Sequence, residues 1–339
     1  MSAVTADRER EAGSPASRRR RPVGGTTVTR PPVPVRKLSV WTRLRKDRPL
    51  ILMTLPGVIL LVVFAYVPML GNIIAWQEYN PVRGFVDSPF VAWDNFVRVF
   101  QNPSFALAVK NTLVITAFQL VFYFPVPVGL ALLLNSVLSV KVRTFIQSVV
   151  YLPHFFSWVI VVTVFQQMFG GAGLVNRVLI DHGMQPFDLM TNPNTFLVLI
   201  TSQAIWKDAG WGIIIFLAAL STVDPALYEA VAIDGGNGWR RMWHVTLPAL
   251  RSVVVLLLIL RLGDALNVGF EQLILQRAAV GTDVSEVIDT YVYYQGVIAG
   301  DWGFATAAGL MKGVVSLLLV LGANKIAHMV GEAGVYQKA

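Results

Sequence analysis

Residues 224–248 read DPALYEAVAIDGGNGWRRMWHVTLP, and this polar stretch lies between two long apolar runs. Asp224 can cap a helix whose first position is Pro225, where a missing N–H costs nothing. Gly235 and the glycine after it supply the backbone freedom that ends this helix in a turn, and Asn237 can cap a second helix. The stretch therefore predicts a short helix, a glycine hinge and another helix.

The second helix of this stretch is expected to be amphipathic. Trp239, Met242 and Trp243 fall on one face at i, i+3 and i+4, while Arg240 and Arg241 point elsewhere. One interpretation is a connector that lies in the lipid headgroup region, with tryptophan at the interface and arginine on lipid phosphate. The other is an element with a specific function. Physical reasoning on the residues alone leaves both interpretations open.

The spacing within the stretch is more specific than its composition. Glu229-Ala230 is followed by Gly235, six residues after the glutamate, and then, after nine intervening residues, by a Val-Thr-Leu-Pro sequence that ends in Leu247-Pro248. This pattern resembles the Glu-Ala-Ala loop of the permease subunits of binding-protein-dependent ABC importers. In that family the loop is a coupling helix that docks in a cleft of the ATPase subunit.

Two positions depart from the pattern of that family. Val231 replaces the second alanine of the motif, and Gly236 stands where sugar permeases usually carry alanine. Both changes are small, so the resemblance still implies an ATPase-coupling role for the residues that match it: Glu229, Ala230, Asp234, Gly235, Leu247 and Pro248.

The composition of the chain indicates a membrane protein. Its 339 residues are 55% hydrophobic and only 14% charged, which is too apolar for one soluble domain. The absence of cysteine removes disulfides, thiolate metal sites and thiol nucleophiles, and four scattered histidines offer no metal-ligand spacing. We therefore expect no catalytic residue, no metal and no cofactor.

The positive charge is concentrated at the N-terminus. Of the 28 lysines and arginines, 13 lie in residues 1–50, so the net charge of +8 does not predict a nucleic-acid partner. Residues 1–49 are rich in Arg, Pro, Ser and Thr and predict a disordered cytoplasmic arm. A signal peptide is a poor fit because the charged region is too long and the following apolar run has no cleavage site. We interpret arginines 18–21 as a topology anchor rather than an anionic-lipid contact.

Six apolar stretches follow, each near the ~20 residues needed to cross a bilayer: 50–76, 106–134, 145–169, 196–220, 249–271 and 303–323. They predict an all-α polytopic membrane protein with six transmembrane helices over residues 50–335. With the N-terminus inside, the cytoplasmic segments hold 20 lysines and arginines and the outside segments hold 4. Both termini and the loop at 224–248 are therefore expected to be cytoplasmic.

Prolines and glycines interrupt several of these spans. A membrane helix tolerates such breaks only where neighbours or cavity water satisfy the freed backbone groups, so the helices are expected to pack around a path. Charged residues within spans also tend to face a bundle interior or a water path. Arg261 and Asp264, one turn apart in the fifth span, are expected to pair with each other.

The fourth span carries a charged pair between two tryptophans. Trp206, Lys207, Asp208 and Trp211 are expected to border the substrate path near the outer end of this span, together with His154. Stacking on a sugar face and hydrogen bonds to hydroxyl groups would use all of them. The alternatives are an interfacial anchor for the tryptophans and a structural hydrogen-bond donor for the histidine.

Further motifs extend the resemblance over roughly residues 50–335. The sequences at 66–71, 151–155, 206–211 and 285–291 are similar to those of lipoprotein-associated oligosaccharide permeases, a branch of the maltose-permease-like superfamily. The resemblance implies a six-span subunit that forms the path for a carbohydrate, namely an oligosaccharide. It also implies a bacterial inner (plasma) membrane location in contact with membrane lipid. The implied partners are a second homologous permease, two cytoplasmic ABC ATPase subunits and an extracytoplasmic sugar-binding protein.

Enzymes and secondary transporters are the competing function classes. The chain has no Gly-x-x-x-x-Gly-Lys-[Ser/Thr], so we expect a partner subunit, not this chain, to hydrolyse ATP. A membrane enzyme would need converging nucleophile, base or metal groups, which no motif here supplies. An ion-coupled transporter would be favoured by an internal repeat, which the sequence lacks. Neither class accounts for the Glu-Ala-Ala-like loop.

Overall fold

The structure of the protein is a computed structural model, and it describes residues 47–329 and 331. The basic arm over residues 1–49 therefore lies outside the described residues, apart from its last three. The α-helices are Arg48–Leu61 (α1), Val67–Leu70 (α2), Gly84–Asp87 (α3), Asp94–Gln101 (α4), Pro103–Phe122 (α5), Pro125–Asn135 (α6), Val140–Tyr151 (α7), Trp158–Phe169 (α8), Leu174–Asp181 (α9), Phe196–Leu220 (α10), Pro225–Ile233 (α11), Gly238–Arg241 (α12), Leu247–Gly263 (α13), Phe270–Val280 (α14), Thr282–Ser285 (α15), Ile288–Tyr293 (α16) and Trp302–Met329 (α17).

Shorter helical turns join several of these helices. They are the 3₁₀ turns Gly71–Trp76, Leu152–Phe155 and Pro193–Thr195 and the π-turns Val62–Tyr66, Met242–Thr246 and Tyr294–Ile298. Within the described residues there is no β-strand, only an isolated bridge between Gln77 and Phe90. The chain divides into two units at Val62, and α1 lies in the first of them.

The prediction of an all-α protein with six membrane-spanning helices is confirmed. Among the described residues, six helical stretches have the length and apolar composition of a membrane span. In chain order, spans 1 to 6 are Arg48–Trp76, Pro103–Asn135, Trp158–Asp181, Pro193–Leu220, Gly238–Gly263 and Trp302–Met329.

The prediction of a single third span over 145–169 is wrong. The helix α7 ends at Tyr151, the 3₁₀ turn Leu152–Phe155 follows, and α8 begins only at Trp158. Pro153 causes the break because proline has no N–H to donate and its ring crowds the preceding turn. Ser157 then caps α8, since its hydroxyl accepts a hydrogen bond from the backbone N–H of Ile160 at 3.4 Å.

The fifth span begins and ends earlier than the predicted 249–271. The second loop helix, the π-turn Met242–Thr246 and α13 run on as one helical stretch, so Pro248 does not separate a loop helix from a span. The π-turn lies directly before Leu247-Pro248, where a proline removes one helical hydrogen bond and crowds a carbonyl one turn back. At the other end α13 stops at Gly263, so Glu271 belongs to the first turn of α14 instead.

The expected pair between Arg261 and Asp264 is replaced by other partners. The guanidinium of Arg261 donates to Gln119 Oε1 at 2.8 Å and lies 5.3 Å from the ring centroid of Tyr123. Asp264 accepts from the side-chain amide of Asn267 at 3.4 Å. Arg261 therefore ties α13 to α5 across the bundle and does not close a turn within its own helix.

The helix α10 is the central element of the second unit. It packs against α5, α6, α7, α8, α13 and α14. Phe196, Leu199 and Ile200 near its start belong to one buried apolar cluster with residues of α5, α8 and α14. Ile213 and Phe216 near its end belong to another, with residues of α6 and α13. The side chains at the middle of α10 are thereby held between two packed regions.

Three buried glutamines join α10 to α14. Gln203 Oε1 accepts from the amides of Gln272 at 2.7 Å and Gln276 at 3.0 Å, and Gln272 also donates to the carbonyl of Ile200 at 2.9 Å. All three glutamines are at most 2% exposed. A satisfied polar network of this kind fixes one arrangement of the two helices, because any other would leave buried amides without partners.

Candidate functional site

The charged pair predicted for the fourth span lies at the middle of α10. Asp208 is the thirteenth of the 25 residues of this helix, so the group is not near the outer end of the span as the sequence predicted. Four of the five residues predicted for the substrate path come together here: His154, Lys207, Asp208 and Trp211. With Tyr151 we call them the midspan cluster.

Two glycines allow α10 to approach its neighbours closely at this level. A Cβ atom on Gly210 would lie 2.4 Å from the carbonyl oxygen of Val150 and 2.6 Å from the Cα of Tyr151. A Cβ atom on Gly212 would lie 2.6 Å from the ring of Pro127. Because only glycine avoids these clashes, Gly210 and Gly212 set the distance from α10 to α7 and α6.

Lys207 is bonded to the turn that follows α7. Its ammonium group donates to the carbonyl oxygens of His154 at 2.8 Å and Phe156 at 2.7 Å, and lies 5.7 Å from the ring centroid of Trp158. These carbonyls are at the C-terminal end of the 3₁₀ turn Leu152–Phe155, where a positive charge is favourable. Lys207 thus stabilises the turn between α7 and α8, and this turn positions His154 next to α10.

Asp208 and Trp211 fix the imidazole of His154 from two sides. The carboxylate of Asp208 is 2.9 Å from His154 Nδ1. The indole of Trp211 lies nearly parallel to the imidazole, with ring centroids 5.1 Å apart and an angle of 13° between the planes. Tyr151 is also nearly parallel to Trp211, at 6.1 Å and 20°. With Trp211 49% exposed, the cluster presents an open aromatic surface beside a polar pair.

Trp206 lies apart from this aromatic surface. Its ring packs against Phe156 at 6.2 Å and Phe165 at 6.0 Å, which are residues of the apolar layer around α8. Trp206 is therefore a packing residue of α10, although 37% of it remains exposed. The sequence pattern Trp-Lys-Asp-Ala-Gly-Trp could not separate the two tryptophans, because it does not specify which face of the helix meets α8.

Sequence reasoning missed the buried glutamines, and the partners of the charged residues, that hold the spans together. The side chain of Gln119 accepts a hydrogen bond from Arg261. The glutamines Gln203, Gln272 and Gln276 join α10 to α14. In α17, Lys312 donates to the carboxylate of Asp289 and to Asn267 Oδ1. A signal was available, because an amide or ammonium group within an apolar span needs a partner. The partner itself could not be identified from the sequence, because the paired residues are 23 to 142 positions apart.

The loop at 224–248 has the predicted caps. Asp224 Oδ1 accepts from the N–H of Ala226 at 2.9 Å and caps α11, with Pro225 at the first position. Asn237 Oδ1 accepts from the N–H of Arg240 at 3.0 Å and caps α12. The short helix, hinge and second helix are confirmed, with the second helix continuous with span 5.

Two backbone hydrogen bonds from the glycines of the hinge end α11. Gly235 has a φ of +72°, its N–H donates to the carbonyl of Ala232 at 3.1 Å, and the N–H of Gly236 donates to that of Val231 at 2.8 Å. This Schellman arrangement requires a left-handed residue after the helix, which glycine adopts without strain. A Cβ atom on Gly236 would lie 2.4 Å from Val231 Cγ1, so the two positions that depart from the family pattern contact each other.

The helix α11 is exposed along its length. Glu229 and Ala230 are exposed, Leu227 is 52% exposed and Ile233 is 86% exposed. Among the described residues, the carboxylate of Glu229 has no hydrogen bond or ion pair. Tyr228 turns inward, with its hydroxyl 3.3 Å from Thr246 Oγ1, and Val231 is the other residue of α11 that is only partly exposed. A short apolar helix with one unpaired carboxylate is suited to a protein partner.

Comparison with known proteins gives consistent matches. The family described as "Binding-protein-dependent transport system inner membrane component" matches residues 123–328. The polygalacturonan/rhamnogalacturonan transport system permease protein YteP of Bacillus subtilis is 45% identical over 87% of this chain and 92% of its own length. Protein LplB of the same organism is 41% identical over 88% of this chain and 94% of its own length.

A solved structure matches over nearly its whole length. A chain of a bacterial alginate ABC transporter, crystallised in complex with an alginate pentasaccharide-bound periplasmic protein, is 37% identical and superposes with a TM-score of 0.80. The match covers 87% of this chain and 99% of that one. The family match at residues 123–328 includes the midspan cluster and the loop at 224–248.

Proposed function

Because the chain belongs to the family of binding-protein-dependent transport system inner membrane components, we propose that it forms, with a second permease, the membrane path for an oligosaccharide. By its name YteP belongs to a polygalacturonan/rhamnogalacturonan transport system, and the solved structure is that of an alginate ABC transporter. These substrates are all carbohydrates. The single observation within this chain that carries the proposal is the open aromatic surface of Trp211 beside the Asp208–His154 pair.

The midspan cluster has the groups that a carbohydrate site needs. The exposed indole of Trp211 offers an apolar face against which the C–H face of a sugar ring can pack. The Asp208–His154 pair lies at its edge and offers hydrogen bonds to hydroxyl groups. Lys207 is assigned a positioning role, since its ammonium group is already bonded to two carbonyls. Trp206 is assigned a packing role.

The loop at 224–248 is proposed to couple this path to ATP hydrolysis by separate ATPase subunits. Glu229 and Ala230 lie on the exposed helix α11, and Asp234 and Gly235 form its capped end. Leu247 and Pro248 follow the π-turn and begin α13 inside span 5, so their role is to continue the loop helix into the rest of the span. An unpaired carboxylate on an exposed helix can accept a charge-assisted bond from a basic group of a partner.

The proposed assembly contains a second homologous permease, two ATPase subunits and an extracytoplasmic sugar-binding protein. This arrangement requires the loop at 224–248 and both termini to be cytoplasmic. Gly238 suits a test of this orientation, because a Cβ atom there meets nothing within 4 Å and the chain has no native cysteine. Labelling of Gly238→Cys by an impermeant thiol reagent added outside intact cells would contradict the orientation.

Reconstitution of the chain with its partner subunits in proteoliposomes tests the function. We expect uptake of a labelled oligosaccharide that requires both ATP and the binding protein. Gly235→Asp should abolish this uptake without preventing membrane insertion, because a side chain at positive φ disrupts the end of α11. Oligosaccharide uptake that persists without ATP or without the binding protein would contradict the proposal.

A further inference from the structure

A cleft of about 810 Å³ lies beside the loop and is not used by the proposed function. It is formed by the last two turns of α6, the turn that follows, and the start of span 5 from Gly238. Tyr228 of α11 also lines it. The cleft is therefore located where spans 2 and 5 both end, which places it at one surface of the bilayer.

The end of the cleft at the bilayer surface is polar and positively charged. Asn135, Ser136 and Arg241 line it there, and no aspartate or glutamate does. Within the described residues, the guanidinium of Arg241 has no hydrogen bond or ion pair. A planar guanidinium with five free donors matches the oxygens of a phosphate group.

Away from this end, the wall of the cleft is mainly apolar, and the hydroxyl of Thr246 that also lines it is 3.3 Å from that of Tyr228. Leu132 and Leu133 face it from the last turns of α6, and Met242 faces it from the π-turn of span 5. Leu133 is 66% exposed and Leu138, at the mouth, is 99% exposed. The charge lies at the level of the headgroups and the apolar wall extends towards the bilayer centre, which is the polarity of a phospholipid in the membrane.

We propose that this cleft binds one anionic phospholipid of the bilayer, with its phosphate on Arg241 and an acyl chain along Leu132 and Leu133. A soluble phosphate would leave the apolar wall uncovered. A zwitterionic lipid would bring a second cation to a cleft that already has an unpaired one. The two interpretations of the loop then apply to different halves of it. The helix α11 would contact a protein partner, and α12 would lie in the lipid headgroup region.

The bound lipid would also contact the base of the coupling element. Tyr228 belongs to α11, lines the cleft, and reaches Thr246 of span 5 with its hydroxyl at 3.3 Å. A lipid in the cleft therefore packs against the contact between α11 and span 5. This consequence rests on the proposed coupling function, whereas lipid binding itself does not.

Photocrosslinking in nanodiscs tests the lipid site on the transporter purified with its partner subunits. Phosphatidylglycerol and phosphatidylcholine with a diazirine in the acyl chain are compared, and crosslinks to residues 129–138 are counted by mass spectrometry. We expect phosphatidylglycerol to crosslink more and Arg241→Gln to lower its yield about fivefold, the effect of one arginine at a membrane surface. Arg240→Gln is the matched control, because Arg240 is adjacent but does not line the cleft.

Three results would overturn the proposal. Equal yields from the two lipids would remove the preference for anionic headgroups. Equal losses in Arg240→Gln and Arg241→Gln would mean that general surface charge, not this cleft, attracts the lipid. Loss of crosslinking on addition of millimolar inorganic phosphate would mean that a soluble anion occupies the polar end. Oligosaccharide-stimulated ATP hydrolysis, measured in parallel, reports on coupling separately, so a failure of that function would leave the crosslinking result intact.

Discussion

The midspan cluster and the helix α11 both carry charged residues, but their bonding is opposite. Lys207 and Asp208 have their partners within the chain, on the turn after α7. Glu229 is exposed and has no partner among the described residues. Removing a charge that is bonded within the chain alters the stability of this subunit, whereas removing an unpaired one alters only what binds to it.

The largest effect is expected for Glu229→Ala. It should abolish oligosaccharide-stimulated ATP hydrolysis and uptake, because truncating one side of a desolvated charge pair costs ~2–5 kcal/mol. Thermal unfolding of the isolated chain should not change. Stimulated ATP hydrolysis in the reconstituted transporter is the measurement.

Asp224→Asn is the control for that experiment. It removes a negative charge from the same helix but keeps a side-chain oxygen that can cap it. Coupling should persist in this variant. If Asp224→Asn reproduced the loss, the net charge of the loop would matter and not the position of Glu229.

Lys207→Met is expected to act on the fold of the subunit. It leaves the part-buried carbonyls of His154 and Phe156 without their donor, at a cost of about 1 kcal/mol, the lower end of the range for buried groups. The melting temperature in detergent should fall, and transport should fall with the folded fraction. Lys110→Met is the matched control, since Lys110 is an exposed lysine of span 2. A normal melting temperature for Lys207→Met would contradict the positioning role.

The two tryptophans of α10 should separate substrate binding from packing. Trp211→Ala should raise the KM for uptake about threefold to tenfold, because an aromatic contact contributes ~0.5–1.5 kcal/mol. Trp206→Ala should leave the KM unchanged and lower the melting temperature, since its ring packs on Phe156 and Phe165. The same change of KM in both variants would refute the division of roles.

The smallest effect concerns the two positions where the loop departs from its family. Gly236→Ala should loosen the end of α11, and adding Val231→Ala should recover part of the loss, on the order of 0.5 kcal/mol. The recovery is partial because the new Cβ atom also lies 2.7 Å from the backbone oxygen of Val231. Hydrogen exchange at residues 231–237 measures both the loss in Gly236→Ala and the recovery in the double variant. Strict additivity of the two substitutions would contradict the contact.

The loop could be predicted from sequence more completely than the midspan cluster. Caps and glycine turns depend on neighbours within a few residues, so Asp224, Gly235 and Asn237 indicated the structure that forms. The midspan cluster depends on contacts between residues 53 and 54 positions apart, across a break at Pro153 that the apolar pattern concealed. Apolar periodicity predicts that a segment spans the membrane, but it contains no information on which polar groups meet.

The order of the chain has a consequence for biosynthesis. The carbonyls of His154 and Phe156 and the imidazole of His154 all precede α10, so they leave the ribosome before Lys207 and Asp208 do. A charge at the middle of a helix adds ~2.5–3.5 kcal/mol to its insertion on scales measured with the translocon. Here the acceptors are already in place when the charged helix arrives. Insertion of α10 should therefore depend on synthesis of the segment from α7 to α8, and a chain that lacks this segment should release α10 into the aqueous phase.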